Sequence, residues 1–474
     1  MKKVFLFAAV AAMMTACSSE QLTSNVENQL QAEGTPVNLS GYAFRNVTTR
    51  AGVPGDIDNA NIGEIGFGVF AYYTAGEQYD TKATPNFMYN QKVTKGTNGW
   101  EYEPVKYWPN EFGDAAQSDD VDYLTFFAYA PWTEFEPTTG LPKVAEGLSA
   151  GAIDTLQNYN IISVNKNSAT GDPIVKYAVC TDPAASVDLL WGVAAADADE
   201  HHIALGDNEN EIEAGKPFID LTKPNVGDSV KFNLRHALAK VKFTIDYDLD
   251  AETPTGHDLT IGDESRIYVR WIKIGGFAMK GALNLNNTEA DTPLWKDFDG
   301  TRDLTFEDVT FFDGRKDNKE GTVNNIAKNE LPQGLNPAII EDAWTNGDYT
   351  TAGVTNEEQL LFGGDEAEND GFFYVIPRGQ EEDVDITICY DVETKDEALA
   401  GKLADNKTHG SLIENVITKT GIFGEGIDFE AGKQYEVHIH LGMTSVKIEA
   451  DVEGWTVSED SPADPALPAN QDED

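Results

Sequence analysis

The sequence predicts an all-β protein made of two tandem antiparallel β-sandwich domains with long loops. Three observations predict it. Apolar residues alternate with period two in many short runs, the pattern of strands with one face buried. Those runs are separated by clusters of Gly, Pro, Asn and Asp, in a chain with 42 Gly and 20 Pro. No long amphipathic stripe is present, and only Glu397–Leu403 and Leu412–Ile417 are expected to form short helices. With 474 residues, 41% of them hydrophobic and 10% aromatic, the chain can bury a sizeable core and lacks the composition of a disordered protein.

The elements follow in order. Lys2 and Lys3 precede an apolar run of 11 residues, Val4 to Met14. Such a run is too short to cross a bilayer, which takes about 20 residues, and it has the layout of an export signal. It ends in Met14-Thr15-Ala16-Cys17, small residues before a cysteine, which resembles a bacterial lipobox. Residues 1–16 are therefore expected to be a signal peptide, and Cys17 to become a lipidated N-terminus; an ordinary signal peptide followed by a chance cysteine is the alternative. Multiple acyl chains anchor firmly, since each buried methylene contributes about 0.8 kcal/mol. Residues 17–50 hold a polar stretch, Ser18 to Gly34, expected to act as a tether, and a strand-like segment, Pro36 to Phe44. In that segment the apolar residues Val37, Leu39, Tyr42 and Phe44 change phase at Ser40-Gly41, which predicts a bulge at Gly41.

Residues 51–230 are expected to form the first domain. Ile65, Phe67 and Val69 alternate, and Tyr123 to Tyr129 is apolar on both faces, as a central strand would be. An acidic stretch, Asp197 to Asp228, loses alternation, and the boundary is placed after it, near Val230. The second domain, 231–457, contains alternating runs at 241–247, 384–390, 437–441 and 446–452, the last two separated by a turn near Gly442-Met443. Leu141–Ser168 and Asn284–Phe372 read as long loops, which in a compact domain carry function or conceal strands. The acidic, Pro-containing tail 458–474 is expected to be disordered.

Charge excludes whole classes of partner. Lys and Arg total 34 against 81 Asp and Glu, a formal net charge of −47. Nucleic acid, which is bound through concentrated positive charge, is excluded, as is direct docking on an anionic lipid surface. Three cysteines, Cys17, Cys180 and Cys389, are too few for a disulfide scaffold or a Cys-rich zinc site, and the last two are expected to be buried.

Signals for chemistry are weak. His438 and His440 lie two apart in a strand and share a face, but no third ligand has motif spacing, and surface histidines are expected. His201 and His202 are expected to face solvent, and His236 to mark the start of a strand. The run Asp365 to Gly371 resembles part of a calcium loop, yet Pro377 stands where the closing Glu belongs, so a solvated acidic loop is expected. Trp100, Tyr102, Tyr107 and Trp108 could form a sugar-stacking platform, with core packing as the favoured alternative. No nucleophile elbow, P-loop or dinucleotide fingerprint is present, so no catalytic residue, metal ligand or cofactor is expected.

Several segments taken in order resemble the fimbrillin family, lipoprotein precursors of type V pilus subunits. They are the Cys17 lipobox, Pro36–Phe44, Thr48-Thr49-Arg50-Ala51-Gly52, Ile65–Ala71, Trp100–Pro104, Lys106–Pro109, Leu124–Pro131, Asp188–Gly192, Phe232–Val241, Gly432–Val437 and Val452–Trp455. The resemblance spans residues 1 to 457 and is carried by the order of the set, since no one motif is specific. It implies two transthyretin-like sandwich domains. It also implies export to the outer membrane, with Cys17 acyl chains in the lipid, and then cleavage by an extracellular Arg-specific protease. The matching bond is Arg50–Ala51, with Arg45 as a second candidate. The cut would remove 17–50 as a propeptide carrying the first strand, and a strand from another subunit would refill the groove. The family's usual donor matches Val446–Val457, although the acidic tail departs from compact stalk endings. Partners implied are other pilus subunits, in a homopolymer, with a host protein or glycan as a further possibility for adhesion; no catalysis is implied. The competing reading is a surface-anchored glycan-binding lipoprotein of a nutrient-uptake system, which exposed aromatics on one face would favour. Asp154-Thr155-Leu156 and Asp228-Ser229-Val230 resemble O-glycosylation triplets.

Overall fold

The computed structural model describes residues 36–43, 57–109, 122–143, 160–180, 183, 186–194, 215–221, 229–247, 265–287, 294–299, 307–312, 335–339, 353–362, 371–377, 384–395, 398, 410–422, 429–443 and 446–454. These residues are almost wholly β, as the alternation requires. The strands of the first part are β1 (Asn38–Ala43), β2 (Phe67–Tyr73), β3 (Met88–Gly96), β4 (Gly99–Glu101), β5 (Leu124–Ala130), β6 (Asn160–Val164), β7 (Ile174–Ala178), β8 (Leu190–Ala194), β9 (Phe218–Leu221) and β10 (Ser229–His236). Then follow β11 (Ala239–Tyr247), β12 (Ser265–Phe277), β13 (Lys280–Asn284), β14 (Leu294–Lys296), β15 (Glu307–Phe312) and β16 (Gln359–Leu360). The last are β17 (Phe373–Val375), β18 (Asp385–Lys395), β19 (Gly410–Lys419), β20 (Lys433–Leu441) and β21 (Val446–Gly454). A single helical turn, α1 (Ile62–Ile65), precedes β2.

The described residues form four sheets. The first has the order β1-β10-β8-β5-β2-β3-β4, with β9 also on β5. The second runs β16-β11-β20-β21, with β17 also on β11; the third runs β15-β12-β18-β19 and the fourth β14-β13-β7-β6. Strand β5 lies between β2 and β8 and is buried along its whole length, as a strand apolar on both faces must be. Its alternate residues feed two cores: Leu124, Phe126 and Ala128 join one that also holds Val37, Leu39 and Phe232, while Phe127 and Tyr129 join a second that reaches Val446. The chain passes from the first sheet to the second at Ala237-Leu238, between β10 and β11, and strands β7 and β13, on either side of residue 230, share the fourth sheet.

Two expectations are corrected here. Leu412–Ile417 is part of β19, paired residue for residue with β18 from Lys395–Gly410 to Ile386–Lys419. The weak helical spacing of its apolar residues yields to that ladder, to which β-branched Ile413, Val416 and Ile417 are well suited. The second correction concerns Gly41, which does not bulge, because the β1–β10 register runs unbroken from Asn38–Ser229 to Ala43–Leu234. The expected loops at 141–168 and 284–372 conceal strands: β6 lies in the first, and β14, β15 and β16 in the second. The helix expected at 397–403 and the tail 458–474 lie outside the described residues apart from Ala398. No helix among the described residues is long and apolar enough to cross a membrane.

Candidate functional site: the seat of the first strand

Strand β1 stands apart in the first sheet by its direction. It pairs with β10 in parallel, at the sheet's end, while every other pair in that sheet is antiparallel. Parallel neighbours cannot be joined by a tight turn, so β1 is held by its own contacts. Its burial alternates strictly: Val37, Leu39, Gly41 and Ala43 point inward, and Asn38, Ser40 and Tyr42 outward. Val37 and Ala43 are fully buried and Leu39 is 3% exposed. Burial of a Val or Leu side chain contributes about 1.5–3 kcal/mol, so the two branched residues alone make the seat cohesive.

The seat is built from distant parts of the chain. β10 supplies one wall, with Val230, Phe232 and Leu234 inward. Phe67 of β2 supplies the floor beneath Gly41, where a Cβ would lie 2.9 Å from its ring. The 102–107 segment grips the start of β1 from the other side. The backbone N–H of Val37 donates to the Lys106 carbonyl at 2.8 Å, the Tyr102 hydroxyl donates to the Val37 carbonyl at 2.6 Å, and Pro36 bridges to Tyr107. At the far end the Ala43 N–H donates to Asn59 Oδ1 at 2.8 Å. Outward groups are also engaged: Ser40 and Ser229 hydroxyls are 3.2 Å apart, and the Lys231 ammonium lies 5.5 Å from the Tyr42 ring centroid. Burial pushes the Tyr102 phenol above its ordinary range, with the Lys106 backbone contact acting the other way, so the hydroxyl remains a donor at neutral pH. Burial likewise lowers Arg235 of β10, opposed by Tyr42.

This geometry places several residues singled out in the sequence. Tyr102 and Trp108 are buried, Trp100 stacks edge-on to Phe67, and Trp108 stacks edge-on to Phe126. Tyr107 of that group is exposed, and the other three pack into the core beneath the seat rather than form a platform. Ser229 lies inside the β1–β10 pairing, a poor place for a glycan, and 154–156 lies outside the described residues. Cys17, Arg45, Arg50 and Ala51 also lie outside the described residues, as do His201, His202 and residues 365–370. His236 ends β10 rather than starting a strand, and its Nδ1 is 2.7 Å from Oδ2 of the fully buried Asp188. His438 and His440 share a face of β20 and pair with the β11 side chains Thr244, at 2.8 Å, and Asp246, at 2.7 Å. Cys180 and Cys389 are buried. Sequence reasoning missed Asn59, Phe67 and Lys106 as parts of the seat; the one usable signal was the density of aromatics at 100–108.

No family model matches the chain. It is 23% identical over 409 residues to a curated protein of Phocaeicola vulgatus named fimbrium subunit Fim1C, covering 84% of this chain and 83% of that one. Among solved structures it is similar to a fimbrial protein from Bacteroides vulgatus, at 19% identity and a TM-score of 0.47, over 89% of this chain and 99% of that one. The ordered segments and the fimbrium subunit thus agree on one resemblance, to the fimbrillin family.

Proposed function

We propose that the chain is a non-catalytic structural subunit of a cell-surface pilus, assembled by exchange of strands between subunits. The single observation that carries this reading is the state of β1: a terminal, parallel strand at a sheet's end, whose inward residues complete a core. Loss of such a strand uncovers both the backbone groups of β10 and an apolar groove. A strand from another molecule restores the hydrogen bonds and refills the pockets. The curated relative, named as a fimbrium subunit, supports the pilus assignment.

In this reading the signal peptide 1–16 directs export, Cys17 is acylated and holds the precursor on the outer membrane, and the pilus is extracellular. Arg50 lies beyond the end of β1, and a cut between Arg50 and Ala51 frees 17–50 without touching any pair of the first sheet other than β1–β10. Arg45, which also follows Ala43, is the second candidate. The domain boundary expected near Val230 then falls at Ala237-Leu238, where the chain passes from the first sheet to the second, so that β10 stays whole in the first domain. The glycan-binding alternative loses its main support, because Tyr102 and Trp108 are buried.

The test uses the full chain with Cys17→Ser, treated with an Arg-specific protease and run on unboiled gels. Cleavage after Arg50 with a ladder of heat-sensitive multimers is the expected result. A chain that is cut and stays monomeric at high concentration would sink polymerisation by exchange, and Arg50→Ala with Arg45→Ala should prevent the ladder.

A further inference from the structure

Gly41 is the residue of β1 that the seat tolerates least well in any other form. Its backbone is not in the left-handed region, so the fold does not need glycine there for conformation. What it needs is the missing side chain. A Cβ at this position would stand 2.9 Å from Phe67 Cε1, 3.3 Å from Cζ and 3.4 Å from Leu234 Cδ1. Phe67 is fully buried and cannot swing aside. Its ring stacks edge-on to Trp100, with centroids 5.3 Å apart, and edge-on to Phe232 at 5.7 Å; Phe232 is in turn braced by Phe218 at 5.3 Å. Two open positions, Val37 and Leu39, a closed one at Gly41 and a shallow one at Ala43 thus give the seat a side-chain code along one face of the strand it holds.

The chain contains this code elsewhere. The alternate residues Ala450, Val452 and Gly454 of β21, with Thr456 two positions further in the sequence, repeat the order aliphatic, aliphatic, glycine, small. The other set, Lys447, Glu449, Asp451 and Glu453, is wholly charged and cannot face an apolar seat. β21 lies at the end of its sheet, paired there with β20 on one side only, and its Val446, Ile448 and Ala450 pack on the second core, so its donation requires that it leave β20. Ile272, Ile274, Gly276 and Ala278 fit the same spacing, but β12 is locked between β15 and β18.

We propose that Phe67 is a register gate: the seat accepts only a strand with glycine above that ring, and a second copy of this chain fills it with Gly454 over Phe67 and Val452 in the Leu39 pocket. This rests on the strand-exchange reading above and adds to it the selectivity and the register.

The experiment cuts the full chain with an Arg-specific protease in the presence of a labelled peptide of residues 446–457, and follows peptide retention by gel filtration and the fate of 36–50 by mass spectrometry. The expected result is retention of the wild-type peptide with release of 36–50. Overpacking a closed site costs about 1–3 kcal/mol, so a Gly454→Val peptide should bind about tenfold weaker or worse. An Ala450→Val peptide, which the open Val37 position accommodates, should bind within about twofold of wild type or better. Equal binding of the Gly454→Val peptide would overturn the gate. Loss of binding with Ala450→Val instead would overturn the register, and absence of binding by the wild-type peptide while 36–50 leaves would overturn the occupant. If 36–50 stays on the cut chain in every arm, the exchange reading itself fails and the gate with it, an outcome the mass spectrum separates from the others. A Phe67→Ala chain that folds should accept the Gly454→Val peptide; the peptide series on the wild-type chain decides the matter if it does not fold.

Discussion

The phenol of Tyr102 and the carbonyl of Val37, 65 residues apart in sequence, are joined by a buried 2.6 Å hydrogen bond. It clamps the start of β1 to a loop rather than to the sheet. Removing one buried hydrogen-bonding group costs about 1–3 kcal/mol. Tyr102→Phe should therefore leave the fold intact and raise amide exchange at Val37 and Leu39 by about tenfold or more, read by hydrogen exchange with mass spectrometry. Unchanged exchange there would mean that the ladder with β10 alone holds the strand.

The same phenol makes the clamp sensitive to alkali. Its folded pKa is raised by burial above the unfolded value of about 10. The unfolded chain then loses its proton first, so the contribution is whole below pH about 10 and declines as pH rises through the folded value. β1 exchange should rise steeply above that pH in the wild type and less steeply in Tyr102→Phe. Parallel profiles would remove Tyr102 as the cause.

Leu39 is the largest side chain that β1 inserts into the core. Leu39→Ala should cost about 2–5 kcal/mol, seen as a lower urea midpoint for the transition that exposes the first core. A loss below about 1 kcal/mol would show that the seat collapses around the smaller residue.

Arg266 of β12 and Glu393 of β18 form a buried ion pair across the third sheet, with Arg266 Nε 2.8 Å from Glu393 Oε2. Breaking such a pair by one substitution costs about 3–5 kcal/mol, because it strands a charge. Glu393→Leu should be strongly destabilising, and adding Arg266→Met should recover most of the loss in thermal denaturation. If the single and double variants melt alike, the charges are not coupled.

Much of this architecture is legible in the sequence, and the failures have physical causes. β5 is legible because residues on both its faces are apolar, which only a strand covered twice requires. β19 is not, because apolar residues at 412, 413, 416 and 417 match a helical face as well as a strand, and only the partner strand decides. In β1, Val37 and Leu39 are legible by alternation, but Gly41 misleads: a residue without a side chain looks like a break in the pattern, although it occupies the tightest place in it. Tyr102, Asn59 and Phe67 could not be assigned to the seat, since nothing local to them records what folds against them. Cys17, Arg45, Arg50 and Ala51 rest on motif alone.

The seat and its strand belong to one chain, and that fixes the order in which strands can compete for it. A tethered segment samples its site at an effective concentration on the order of millimolar. A free strand at micromolar concentration loses that contest by about a thousandfold, whatever its complementarity. On the proposed exchange reading the uncut molecule is thus protected from self-association by arithmetic as much as by contacts, and a single severed bond, by letting the occupant dilute away, would change the outcome without altering any atom of the groove.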